Sequence, residues 1–193
     1  MADGKKVYVL GDCRYLKPGY FEVIDAELKG LQVSPHFDDA INAHAVLICL
    51  DRAKRAGIAV PDYYVTTKNI KKLPALVYAM NPYTCDRKII TKKNKAKAMR
   101  ALTRNYTYPV CVQKIDGPLK EIIGVCGLTT AHKYQKLVKK IWQIFNVPLV
   151  KLIIMDGKKI KLSAIDPIEI FELGKDELKL LKKIKGDADL WEI

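Results

Sequence analysis

The stretch from 131 to 166 constrains this chain most. Tyr134, Leu137, Val138, Ile141, Trp142 and Phe145 fall at i, i+3, i+4, i+7, i+8 and i+11, one continuous apolar face on a helix of 3.6 residues per turn. Lys133, Lys136, Lys139 and Lys140 occupy other positions, so a helix over 131–145 has a dry side and a charged side. Asn146 and Pro148 end it. "LVKLIIM" (149–155) must then be a strand, "DGKK" (156–159) a tight turn, and "IKLSAID" (160–166) the returning strand of a hairpin. A helix with one apolar stripe beside such a hairpin buries that stripe on the sheet, which predicts an α+β fold.

The rest of the chain supplies similar pieces. "KKVYVLGD" (5–12) reads as a buried strand ending in Gly-Asp, and its Gly11 begins no dinucleotide-binding GxGxxG. "PGYFEVIDAELKG" (18–30) holds a helical turn closed by Gly30. Asp38 or Asp39 can cap a helix that runs to about Ala56, where Gly57 stops it. "IAVPDYYVTT" (58–67) and "PALVYAM" (74–80) are extended, and "NPYT" after the latter has turn chemistry. Asn94 to Leu102 is helical. Tyr108–Val112 and the run after Pro118 are extended and joined at Asp116-Gly117, which predicts a β-hairpin with Cys111 and Cys126 on opposite arms. A last amphipathic helix covers about 175–185 and buries Leu178, Leu181 and Ile184.

At 193 residues and 49% hydrophobic, the chain forms one domain or two small ones with a true core. No apolar stretch reaches the roughly eighteen residues that span a bilayer, and the start lacks the apolar core of a secretion signal. No membrane association is expected, and the expected location is the cytoplasm. Five scattered cysteines (13, 49, 85, 111 and 126) with no CxxC pair read as reduced, buried thiols. His36, His44 and His132 are too dispersed to complete a zinc site, so no structural metal is expected. His44, within a helical pattern, reads as a satisfied, partly buried side chain.

Charge is more telling. The net charge is +13, and Arg87, Lys88, Lys92, Lys93, Lys95, Lys97, Arg100 and Arg104 lie in one run with no acid among them. Such a run attracts polyanions by counterion release, or is simply a solvated helix face. Tyr106 and Tyr108 adjoin Arg104, and Tyr78 and Tyr83 precede the run. Aromatics among cations are what single-stranded nucleic acid binding uses.

Several of these segments together resemble the RimK-type ATP-grasp carboxylate–amine ligases. "VSPHFDDAINAHAVLICLDRAKRAGIAVPDYYVTT" (33–67) is similar to that family's entry segment, and "YPVCVQK" (108–114) to its P-V-V-V-K strand. "KYQKLVKKIWQIFNVPLVKLIIMDGKKIKLSAID" (133–166) resembles its late helix, strand and acidic strand, in the family's order. The resemblance implies an ATP-grasp-like α+β fold, with a largely antiparallel sheet packed by amphipathic helices and a shortened N-terminal α/β part. It places an N-terminal α/β segment at 1–67 and the ATP-grasp-like domain at 68–193, with the basic segment at 87–104. It implies ATP and Mg²⁺ as cofactors, Lys114 and Gln113 at the nucleotide, Asp166 and Glu169 at the metal, and, if the chain is active, ATP-dependent ligation of a carboxylate to an amine.

Departures from the family accompany this. Ala43 to Ile48 lacks the family's first-helix lysine, and no arginine follows Arg104. The phosphate-covering loop reads "DGPLKEIIG" where Gly and Ser would let backbone N–H groups approach an anion. "AIDPIEIFE" contains Asp166, Glu169 and Glu172 but not the family's Glu-x-Asn. The sequence therefore predicts a reduced ATP-grasp-like protein that binds a nucleotide or other anion. Alternatives are a basic module that binds RNA or the ribosome through 87–108, and a non-catalytic subunit of a larger assembly.

Overall fold

The structure is a computed structural model and describes residues 6–80, 86–184 and 189–191. The chain divides into two compact units, each assembled from separated stretches. The first holds 1–44, 121–153 and 164–193, and the second 45–120 and 154–163. The late strands contribute residues to both units.

In the first unit a parallel three-stranded sheet is built on β1 (Lys6–Val9). Its neighbours are β2 (Gln32–Ser34), with Val7 opposite Val33, and β10 (Asp189–Trp191), with Tyr8 opposite Leu190. The strand at 189–191 has no counterpart in the sequence reading. Helix α1 (Pro18–Leu28) connects β1 to β2 as a full three turns, longer than the helical turn expected there. Pro18 opens it with φ already set for a helix, and Gly30 closes it with φ +73°. Val23 and Ala26 bury against Val9, Cys13 and Val33. Helix α2 (Phe37–His44) follows, with Asp38 and Asp39 in its first turn, where the helix dipole favours acids, and not at its cap.

The single helix expected up to Ala56 is two. Ala45 is extended (φ −71°, ψ 100°), and α3 (Val46–Arg55) starts afresh in the second unit. Both halves carry apolar residues at helical spacing, so the pattern alone hides a one-residue break.

The second unit contains an antiparallel four-stranded sheet in the order β3 (Tyr63–Thr66), β6 (Val110–Lys114), β4 (Ala75–Ala79), β5 (Arg87–Ile90). Helix α4 (Lys95–Leu102) covers it, sinking Ala98, Met99 and Leu102 among Val77, Ile90, Val110 and Val112. Each of the larger side chains contributes about 1.5–3 kcal/mol by leaving water. The expected turn at 81–84, with Tyr83, and Cys85 lie outside the described residues.

A third sheet has the order β7 (Leu119–Val125), β8 (Leu149–Asp156), β9 (Ile160–Pro167). The 157–159 connection is far too short for a parallel crossover, so β8 and β9 form the antiparallel hairpin the sequence predicts. The Cys126 N–H donates to the Pro148 carbonyl (2.7 Å), and the Asp156 N–H to the Pro118 carbonyl (2.9 Å). Those two links at opposite ends make β7 and β8 antiparallel as well. Helix α5 (Gln135–Phe145), preceded by a 3-10 turn at His132–Tyr134, buries Val138, Ile141 and Phe145 and stops at Asn146, which is left-handed at φ 51°. Gly124 lets α5 approach β7: a Cβ there would lie 3.0 Å from Val138 and from Val150. Helix α6 (Lys175–Ile184) buries Leu181 beside Leu10, Val125 and Leu149.

One expectation fails outright. β6 and β7 are not arms of a hairpin, because β6 belongs to the four-stranded sheet and β7 to the sheet of β8 and β9. Cys111 and Cys126 therefore do not face each other across a ribbon. The described cysteines are free thiols, with Cys13, Cys49 and Cys111 buried and Cys126 half-buried.

Candidate functional site

Lys114 is where the second unit offers a cation. Strand β6 is buried from Val110 to Gln113 and emerges only at its last residue, so Lys114 is exposed at the strand's end. Its backbone is fixed on one side opposite Ala75 and on the other by its N–H to the Asp62 carbonyl (3.0 Å). The four residues 115–118 that follow are held tightly. Gly117 backs onto Gly157 so closely that a Cβ would meet the Gly157 nitrogen at 2.6 Å, and a Cβ on Gly157 would meet the Asp116 carbonyl at 2.6 Å. Asp116 pairs with Lys161, and Lys120 with Asp156 at 2.7 Å. The acids around this turn are thus neutralised, while Lys114 makes no ion pair among the described residues.

Gln113, expected beside Lys114 at a nucleotide, points inward and is fully buried. Its Nε2 donates to the Ser163 carbonyl (2.9 Å), and its Oε1 accepts from the Ser163 hydroxyl (2.5 Å). Tyr78 joins the network through a 2.8 Å contact between its hydroxyl and that of Ser163. Gln113 and Tyr78 are interior polar groups that meet at Ser163. Tyr78 is 4% exposed and no base could stack on it.

Asp166 and Glu169 lie in the first unit. The Glu169 carboxylate caps the 3-10 turn Ile170–Glu172 by accepting the Glu172 N–H, and the Glu169 N–H donates to the Glu172 carboxylate at 3.1 Å. The acidic turn therefore closes on this short 3-10 element. Asp166, half-buried near the end of β9, belongs electrostatically with His44, Arg14 and Asp12. Among the described residues, no three or more His, Cys, Asp or Glu side chains are grouped to hold a metal ion.

That second grouping escaped the sequence reading. Asp12, buried just beyond β1, accepts from the Arg14 guanidinium Nε at 2.7 and 2.8 Å and from the Arg14 N–H at 3.0 Å. Burial and then Arg14 push the His44 imidazole below its ordinary pKa, with Asp166 and Asp12 pulling the other way. These surroundings favour the neutral ring. Burial, then Asp12, Glu22 and Glu169, push the Cys13 thiol up to about 12, so it is no nucleophile. The one local signal was Gly11-Asp12 after a strand, at the carboxyl edge where open parallel sheets place ligands.

The basic run divides among three elements of the second unit. Arg87 and Lys88 lie on β5, Lys92 and Lys93 in the turn after it, Lys95, Lys97 and Arg100 on α4, and Arg104 beyond.

No protein-family model matches the chain, and no curated protein matches it by sequence. Solved structures do match. A RimK-domain ATP-grasp protein from Sphaerobacter thermophilus superposes with a TM-score of 0.68 at 14% identity, over 97% of this chain and 82% of its own. The D-alanine–D-alanine ligase of Helicobacter pylori superposes at 0.64 and 13% identity, over 86% of this chain and 65% of its own. The ATP-grasp ligase PsnB, solved with its precursor peptide PsnA2 and AMPPNP, gives 0.60 and 11%, over 89% and 67%.

This chain has the ATP-grasp fold.

It is a small version of it, shorter than each of these neighbours. The residues present fit the nucleotide of an ATP-grasp protein only in part. Lys114 is a cation at a fixed strand end with no ion pair among the described residues, but Gly117 backs onto Gly157 and Pro118 has no N–H to give, so a phosphate there would have only the lysine side chain to meet. They do not fit the magnesium ion, because among the described residues no three or more His, Cys, Asp or Glu side chains come together to hold one.

Proposed function

We propose that this chain binds a nucleotide or a comparable phosphate-bearing anion at Lys114, without catalysing a metal-assisted ligation. The supporting observation is the charge pattern around the β6–β7 turn. Asp116 and Asp156 are each matched by a lysine, and Lys114 is left unpaired among the described residues. A phosphate arriving there meets an uncompensated positive charge. The neighbour PsnB was solved with AMPPNP, and with Mg and ADP in another structure, which makes an adenine nucleotide the first anion to test.

Ligation would need more. Phosphoryl transfer to a carboxylate depends on positive charge and bridging metal at the transferring group. The packed turn supplies neither, and no three metal-ligating side chains are grouped among the described residues. Binding without turnover is the reading that fits both observations.

The test is a melting experiment with ATP, ADP and AMP, each in Mg²⁺ and in EDTA. A ligand at a hundred times its Kd stabilises by about 2.7 kcal/mol, which in a chain of this size raises Tm by about 5–10 °C. ATP is expected to raise Tm in both buffers, and Lys114→Ala to abolish the shift. A shift seen only with Mg²⁺, or ADP released on adding amino acids, overturns the reading.

A further inference from the structure

We infer that residues 96–106 form a binding site for single-stranded nucleic acid, separate from Lys114. The end of α4 and the turn after it carry an open surface depression of about 930 Å³. Lys97, Arg100, Arg104, Asn105 and Tyr106 line it together with Ala96 and Ala101.

Three observations carry the assignment. The first is unmatched charge. Several of the chain's other cations meet carboxylates, as in Lys29 with Asp25, Arg55 with Asp51, Lys151 with Glu172 and Lys179 with Asp176. Lys97, Arg100 and Arg104 have no carboxylate partner among the described residues, and no acid occurs between Arg87 and Arg104. A helix C-terminus favours cations on its own, but that accounts for one or two, not for an acid-free run of eight.

The second is the backbone. Arg104, Asn105 and Tyr106 are three successive left-handed residues, at φ 46°, 56° and 64°. Non-glycine residues rarely adopt this region, and a run of three signals that their placement matters. The turn is held from within: the Tyr106 N–H donates to the Thr103 hydroxyl (2.8 Å), and the N–H groups of Thr107 and Tyr108 to the Thr103 carbonyl (2.9 and 2.8 Å). With these amides engaged, an anion meets side chains only. Arg100 is pre-set as one wall by its Nε bond to Asn105 Oδ1 (2.7 Å).

The third is the aromatic. The same turn presents Tyr106, 40% exposed, among the cations. A flat ring beside fixed cations in an open trough suits a chain whose bases stack while its phosphates pair. A membrane surface is disfavoured, because the outward residues of α4 are Ala96, Lys97, Arg100 and Ala101, with nothing large and apolar to insert.

The experiment measures fluorescence anisotropy of labelled twelve-nucleotide oligo-U and oligo-dT on the full chain across a salt series. With three phosphate contacts, log affinity should fall with log salt at a slope of about −2. Lys97→Gln with Arg104→Gln should bring the slope to about −0.7, the share of one remaining contact. Tyr106→Ala should weaken binding about five- to a hundredfold with the slope unchanged. Lys114→Ala should change nothing, which separates this site from the nucleotide reading. Melting curves verify that each variant is folded, and ultraviolet crosslinking of the wild-type complex should label the peptide containing Tyr106. Binding of both oligonucleotides, or of one alone, supports the site and states its sugar preference. Unchanged affinity in both hollow variants, equal affinity for a duplex, equal competition by polyglutamate, or crosslinks elsewhere each overturn it.

Discussion

Gly117 and Gly157 lie back to back, with a Cβ built on Gly117 only 2.6 Å from the Gly157 nitrogen and 2.7 Å from its Cα. Backbone, unlike the end of a flexible side chain, cannot swing aside. Gly117→Ala should therefore destabilise the protein by about 1–3 kcal/mol, read as a lower urea midpoint. The nucleotide-induced melting shift should survive the substitution, because Lys114 is fixed independently by Asp62 and Ala75.

The pair between Asp116 and Lys161 has a different consequence. Both side chains are partly exposed, so the bond contributes little stability, about 0–1 kcal/mol. Lys161→Ala should leave Tm nearly unchanged yet weaken ATP binding about two- to fivefold, since Asp116 then stands uncompensated beside the anion. Titration calorimetry on the two proteins separates these effects.

Ser163 should matter to stability and not to ligand. Ser163→Ala removes the buried hydroxyl that both the Gln113 amide oxygen and the Tyr78 hydroxyl contact. A cost of about 1–3 kcal/mol is expected in urea unfolding, with ATP affinity unchanged once the protein is folded.

His44 gives a pH dependence with a definite sign. Its folded pKa is held below the ordinary 6.5, first by burial and then by Arg14. As pH falls through 6.5 the unfolded chain takes up the proton first, so stability drops, and the loss ends once pH has passed the lower folded value. Glu22, raised by burial and then by Glu169, acts with the opposite sign from its ordinary 4.5 upward, so the comparison must be with His44→Gln in an otherwise identical chain. Urea midpoints at several pH values should show the wild type losing ground to that variant below pH 6.5. Parallel curves would contradict the assignment.

What the sequence revealed followed the range of the forces involved. The stripe from Tyr134 to Phe145 and the hairpin around Asp156-Gly157 are local patterns, and both are present as read. Asp116-Gly117 between two apolar runs carries the same local hairpin signal, yet β6 pairs with β3 and β4, some fifty and thirty-five residues earlier. Only tertiary packing decides that. β10 is three residues long and gains its partner from the opposite end of the chain. The grouping of Asp12, Arg14, His44 and Asp166 spans most of the sequence, so no spacing could have announced it. Gln113 is buried while Lys114 is exposed, since alternation puts the two on opposite faces of β6.

The most direct measurement is calorimetric titration of ATP, in EDTA, into the wild-type protein and into Lys114→Ala. Saturable heat is expected from the first and none from the second, with both proteins melting alike in the absence of ligand. Equal binding by the two proteins, or no binding by either, would contradict nucleotide binding at Lys114.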